Sequence, residues 1–271
     1  MGDLDHDSAV TDSVGVVTPA WDGFGPNGGF LSTMSMRAAL GSARVDVVRS
    51  VQSQFVRPAR HTGLSFTTTV LGRSNRSDTV QTVGTQEGGP VLVTLVRTLQ
   101  PVPGEIDREN SAFPEVPDPD FLQPTERLLP PEAVGVVPMT RHFEVRPVTW
   151  ERTWPPVKAR PPRCLVWCRF RPRAVFADAA VNTGRFLVLL DSCVWNAVER
   201  GTSGATGLSP RSTDLSVTVL DSGSAEEWLL CDVTVPLIRA GSAAAVGAVW
   251  SRTGQLLATG SMNMTLVRTR G

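Results

Sequence analysis

The stretch GFGPNGGFLSTMSMRAA, residues 23–39, holds a literal G-x-G-x-x-G in Gly23, Gly25 and Gly28 and runs straight into a helix-like pattern. A dinucleotide fingerprint requires a strand leading directly into the first glycine and further strand–helix units behind it. Here the strand candidate VGVV is separated from Gly23 by Thr18, Pro19, Ala20, Trp21 and Asp22. Asp46, placed where a ribose-binding acid would sit, has no apolar strand before it. The context therefore argues against a pyrophosphate site. Two other uses of the glycines remain. They let a helix pack closely on a sheet, or they present free N–H groups at the helix start to a developing negative oxygen.

The residues C-terminal to the motif decide the fold class. Phe30, Leu31, Met34 and Ala38 recur at helical spacing. Then RSVQSQFVRP, GLSFTTTVLGRS, DTVQTVGTQ and GPVLVTLVRTLQ alternate partly between apolar and polar residues, with Gly, Asn, Asp and Ser between them, as strands of a meander do. The second half repeats the plan. Phe186, Leu187, Leu190, Cys193, Val194, Ala197 and Val198 form a one-faced helix that ends near Gly201. DLSVTVLD, EEWLLCDVTVPLI, SAAAVGAVWSRTG and QLLATGSMNMTLVR come after it as strands. Between the halves, residues 101–138 carry too many prolines and acids for helix or sheet interior. The pattern gives a first domain at residues 1–107, a proline-rich linker at 108–140 and a second domain at 141–271. The expected class is α+β, with two antiparallel sheets each wrapped around a long helix and fused in one chain.

Composition narrows the partners. The chain has 271 residues, 41% of them hydrophobic, with 26 basic and 26 acidic residues. No overall field favours nucleic acid or a membrane surface, so the expected partner is a small or apolar molecule. No apolar run reaches membrane-span length, and MGDLDHDSAV lacks the basic and then apolar order of a secretory signal. A cytoplasmic protein is the expectation. Cys164, Cys168, Cys193 and Cys231 lack a paired C-x-x-C and read as reduced, buried thiols. His6, His61 and His142 belong to no H-E-x-x-H or Ser/Cys constellation, and neither a G-x-S-x-G elbow nor a P-loop occurs. No metal and no cofactor is expected.

Taken in order, GPNGGFLSTMSMRAA, QSQFVRP, the GRS turn, RFLVLLDSCVWNAV, DLSVTVLD, EEWLLCDVTV and GQLLATGS resemble the acyl-CoA thioesterase II family, the double hot-dog thioesterases. The resemblance implies two fused hot-dog domains, hydrolysis of acyl thioesters presented by CoA or a carrier protein, and a homo-oligomer. It also implies a catalytic aspartate at the start of the strand after the second helix, fourteen residues before a Trp-Leu-Leu. Asp214 matches that position relative to Trp228, Leu229 and Leu230. Of the helpers it implies, a threonine falls at Pro236, with Thr234 as a displaced substitute, and a glutamine falls at Met262 or Asn263.

The chemistry needs a held water, a carboxylate to take its proton and donors for the oxyanion. Asp214 is the expected base, and Asn263 or Thr234 the water holder. Asn27, Gly28 and Gly29 are expected near the thioester oxygen, Asp191 as a polar contact to the cleft, and Trp195 as a wall of an apolar pocket. The altered helper positions keep two further classes open. One is a biosynthetic cyclase, isomerase or dehydratase acting on a polyketide-like or terpenoid intermediate, and the other is an acyl-binding module.

Overall fold

The computed structural model describes residues 2–102, 108, 110–151, 157–203 and 207–268. Among the described residues, twelve strands form one antiparallel sheet. They are β1 (Val10–Thr11), β2 (Val14–Val16), β3 (Val48–Phe55), β4 (Gly63–Arg73), β5 (Ser77–Gln86), β6 (Gly89–Leu99), β7 (Phe143–Pro147), β8 (Arg163–Phe170), β9 (Leu208–Val219), β10 (Trp228–Arg239), β11 (Ser242–Ser251) and β12 (Leu256–Arg268). The helices are α1 (Leu4–Asp7), α2 (Gly28–Leu40), α3 (Thr125–Leu128) and α4 (Ala179–Thr202).

The strand order, β1-β2-β4-β5-β6-β3-β9-β12-β11-β10-β8-β7, is a palindrome in which each strand of the first half has its counterpart six strands later. The halves join where β3 pairs with β9, Val51 facing Val217 and Ser53 facing Leu215. This is a double hot-dog, with the two sheets continuous through that seam.

Helices α2 and α4 lie on the inner face and pack on each other. Asn27 starts α2 by accepting the Phe30 amide on Oδ1 at 2.8 Å. Gly29 is the point of closest approach. A Cβ there would lie 2.2 Å from the Leu187 carbonyl oxygen and 2.6 Å from the Val188 Cα of α4. The expected helix-on-sheet role of this glycine is thus corrected to helix on helix. Because α2 is enclosed by the sheet on one side and α4 on the other, Phe30, Met34 and Met36 are all buried.

The sequence pattern missed β8. Its run Cys164–Cys168 does not alternate because both faces are covered. Trp167 and Leu165 point outward into a second cluster with Trp228, Leu230, Trp250 and Leu256. The proline-rich segment straps this cluster. Phe113 packs on Trp167 and Trp250, Trp167 Nε1 donates to the Pro117 carbonyl at 3.0 Å, and Arg252 pairs with Asp118 and Asp120. Trp154 lies outside the described residues. All four cysteines are free and buried. No helix among the described residues is long and apolar enough to cross a membrane.

Candidate functional site

The start of α2 faces the middle of α4, and a cavity of about 1110 Å³ opens between them and the start of β9. Leu31, Phe55, Met139, Phe143, Leu189 and Met264 give it an apolar wall. On α4, Asp191, Trp195 and Glu199 line it at successive four-residue steps, so one helical face forms its floor.

Asp191 is the buried carboxylate of this cavity, 7% exposed. Its Oδ2 accepts from Asn27 Nδ2 at 2.7 Å and from the Gly28 amide at 2.9 Å, and its Oδ1 accepts from Ser212 Oγ at 2.7 Å. Burial pushes its pKa up, against the hydrogen bonds from Ser212 and the Gly29 and Gly28 amides. A carboxylate held this way is a stronger base than one in water. Gly28 is needed for the approach. A Cβ there would meet Phe55 Cζ at 2.7 Å and Asp191 Oδ1 at 3.1 Å.

Asp191, Asn27, Gly28 and Trp195 therefore come together, with Gly29 buried just behind them between the helices. The Gly28 N–H that was expected at a thioester oxygen instead holds the carboxylate.

Asp214, Asn263 and Thr234 do not join this group. Leu215, Val217 and Val219 point inward, so alternation turns Asp214 to the outer face of the sheet. Asn263, between the buried Met262 and Met264, lies directly opposite and donates to Asp214 Oδ1 at 2.9 Å. Asp214 and Asn263 thus pair with each other on the outer face, away from the Gly28 amide, which is bonded to Asp191. Thr234 sits between the inward Val233 and Val235 and also faces outward. The irregularity of β10 begins just after it, between Thr234 and Leu237.

Ser212 and Ser192 were not anticipated. A bulge in β9 leaves Thr213 without a partner between Asp214, opposite Asn263, and Ser212, opposite Met264. This extra residue brings Ser212 to the inner face, where strict alternation would have left it outside with Asp214. Asp191 did carry a signal. It interrupts the apolar stripe of α4 between Leu187 and Val194, where a carboxylate is costly unless something holds it.

Around the cavity, Arg163 pairs with Asp232, Arg171 with Glu126 and Glu144, and Arg200 with Glu151. Arg57, Arg141 and Arg211 also line it and have no acidic partner among the described residues. No group of His, Cys, Asp and Glu suited to a metal ion occurs among the described residues.

Comparison with known proteins agrees with this architecture. Residues 17–100 match the model of the acyl-CoA thioesterase N-terminal domain, and residues 111–261 match that of the C-terminal domain. Similar solved structures include a hot-dog protein from Alicyclobacillus acidocaldarius (TM-score 0.83, 18% identity, 98% of each chain covered). The tesB protein of Mycobacterium avium subsp. paratuberculosis is similar at TM-score 0.78 and 19% identity, with 97% of this chain and 98% of that one covered. The acyl-CoA thioesterase II TesB2 of Mycobacterium marinum has TM-score 0.78 and 18% identity, with 99% of each chain covered. A comparison with curated proteins found no match.

Proposed function

The chain belongs to the acyl-CoA thioesterase family, and from that premise we propose that it hydrolyses an acyl thioester with Asp191, not Asp214, activating the attacking water. The observation that carries this reading is the buried Asp191 carboxylate, fixed by three donors in the wall of a large apolar cavity.

The acyl chain lies along the apolar wall, with the thioester carbon beside Asp191. A water hydrogen-bonded to the carboxylate attacks that carbon while its proton passes to Asp191. Collapse of the tetrahedral intermediate breaks the C–S bond, and the departing thiolate takes the proton from Asp191 to leave as free thiol. Ser212, Asn27 and the Gly28 amide keep the carboxylate from rotating away, so its position is set before substrate arrives. Arg57, Arg141 and Arg211 suit the phosphates of a CoA or carrier-protein handle.

The test is release of free thiol from acyl-CoAs of graded chain length, followed against pH. Hydrolysis with an acid limb above the ordinary carboxylate range is expected. Binding of acyl-CoA without thiol release at any chain length or pH would overturn the hydrolase reading and favour a binding module or a non-hydrolytic enzyme.

A further inference from the structure

A tetrahedral oxyanion needs a hydrogen-bond donor, and the donors around Asp191 are already taken. The Gly28 amide, both N–H bonds of the Asn27 amide and Ser212 Oγ are committed to Asp191 or to Ser192. Ser192 Oγ donates to the Val188 carbonyl, and Thr213 Oγ1 to Asp214. Further along α2, the Phe30 amide is held by the Asn27 side chain and the Leu31 amide by its carbonyl.

Three nitrogens of cavity-lining residues have no partner, Arg57 Nη2, Arg200 Nε and Trp195 Nε1, and of the three Trp195 stands nearest Asp191 along the chain. Trp195 follows Asp191 by one helical turn on the same face, which sets their Cβ atoms about 6 Å apart. The residue is 8% exposed, lines the cavity, and its Nε1 has no hydrogen-bond partner. Phe24 packs against the indole edge-on, with ring centroids 5.4 Å apart. Buried indole N–H groups normally find an acceptor. Trp21 Nε1 donates to Asp7 and Trp167 Nε1 to Pro117. Trp250 Nε1 also lacks a partner, but it lies in the outer-face cluster, away from the cavity.

We propose that the Trp195 indole N–H donates to the carbonyl oxygen of the bound acyl group and holds the oxyanion formed when water attacks. This rests on the hydrolase reading for its catalytic consequence, but the carbonyl contact itself can be observed without turnover. The carbonyl carbon then sits between two successive turns of α4, with the water on the Asp191 side and the oxygen on the Trp195 side.

The test combines Trp195→Phe, which keeps an aromatic ring and removes the N–H, with NMR of the indole ¹H–¹⁵N signals. Loss of one oxyanion donor should lower kcat about 100-fold and leave KM within about threefold. The signal that vanishes in Trp195→Phe should move downfield in the wild-type protein bound to the ketone analogue of decanoyl-CoA, in which CH2 replaces sulfur. It should not move with decyl-CoA, the thioether without a carbonyl. A variant that keeps kcat within about twofold, an indole signal identical in the two complexes, or no binding of the ketone analogue would overturn the proposal. A carbonyl-dependent shift in a protein that releases no thiol would support the contact and sink the hydrolase reading alone.

Discussion

The two halves of the molecule repeat one frame and differ in a few side chains at the point where each helix meets the other. Asn27-x-Gly29 opens α2, and Asn182-x-Gly184 lies in the first turns of α4. Gly29 lies against Leu187 and Val188, and Gly184 against Thr33, so the contacts are reciprocal. Seven residues beyond Gly184 stands Asp191, and seven beyond Gly29 stands Met36. Ser212 enters β9 ahead of its bulge, and Val48 enters β3 ahead of the matching bulge. Asn182 is spent on the Phe176 backbone, whereas Asn27 reaches Asp191.

Next to Met36, Arg37 holds Asp5 and Ser8 of the N-terminal segment, and Leu4, Val17 and Met36 are all buried. The duplicated frame thus supplies the cleft, and the second half adds to it the Asp191 carboxylate with its three donors.

The largest effect expected from blurring this difference is on stability. Met36→Asp places a carboxyl at a fully buried position without the donors that surround Asp191. It should cost roughly 4 kcal/mol or more in urea unfolding and create no second activity. An unchanged midpoint would break the comparison.

The reciprocal glycines should differ next. Gly29→Ala drives Cβ into the α4 backbone and should cost roughly 3 kcal/mol. In Gly184→Ala the Cβ meets the Thr33 side chain, which can yield, and the loss should be nearer 1 kcal/mol. Thermal unfolding of the two variants checks the order.

Ser212→Ala removes a hydrogen bond that lowers the Asp191 pKa. The acid limb of the pH–rate profile should move to higher pH, with kcat at neutral pH falling about tenfold as the carboxylate loses its hold. The same raised pKa has a stability consequence. The folded form binds the proton more tightly, so stability is fully present below the ordinary carboxyl value of 3.8 and declines as pH rises through the ionisation of folded Asp191. Asp191→Asn should flatten that decline, as measured by urea unfolding at a series of pH values.

The smallest effect concerns the outer faces. The second half buries Trp167, Trp228 and Trp250 beneath the proline-rich strap, whereas the corresponding face of β4 shows Ser65, Thr67 and Thr69 to solvent. Phe113→Ala should cost roughly 1 kcal/mol through lost aromatic packing, and Thr67→Ala close to nothing.

Much of this frame is legible in the sequence. The alternation of RSVQSQF and SDTVQTVGTQ and the one-faced stripe of α4 arise from burial on one side, which leaves a periodic mark. β8 escapes because a strand covered on both faces has no alternation to read. The site is harder. Asp191 sits on the apolar stripe in plain view, but the spacing of Asp214 to Trp228 draws attention to a residue that alternation turns outward. Ser212 depends on a single-residue bulge, which depends on the pairing of β9 with β12 and leaves no mark in a local pattern.

The proposed hydrolysis turns on which carboxylate activates water, the inward one on α4 or the outward one on β9. Asp191→Asn and Asp214→Asn separate the two, with free-thiol release as the readout and urea unfolding to confirm the fold. Asn at 191 can still accept from Asn27 and Gly28 and donate to Ser212, so the site keeps its shape. With Asp191 as the base, hydrolysis falls about 1000-fold or more in Asp191→Asn and stays within about twofold of wild type in Asp214→Asn. Full activity in Asp191→Asn with loss in Asp214→Asn would contradict that assignment.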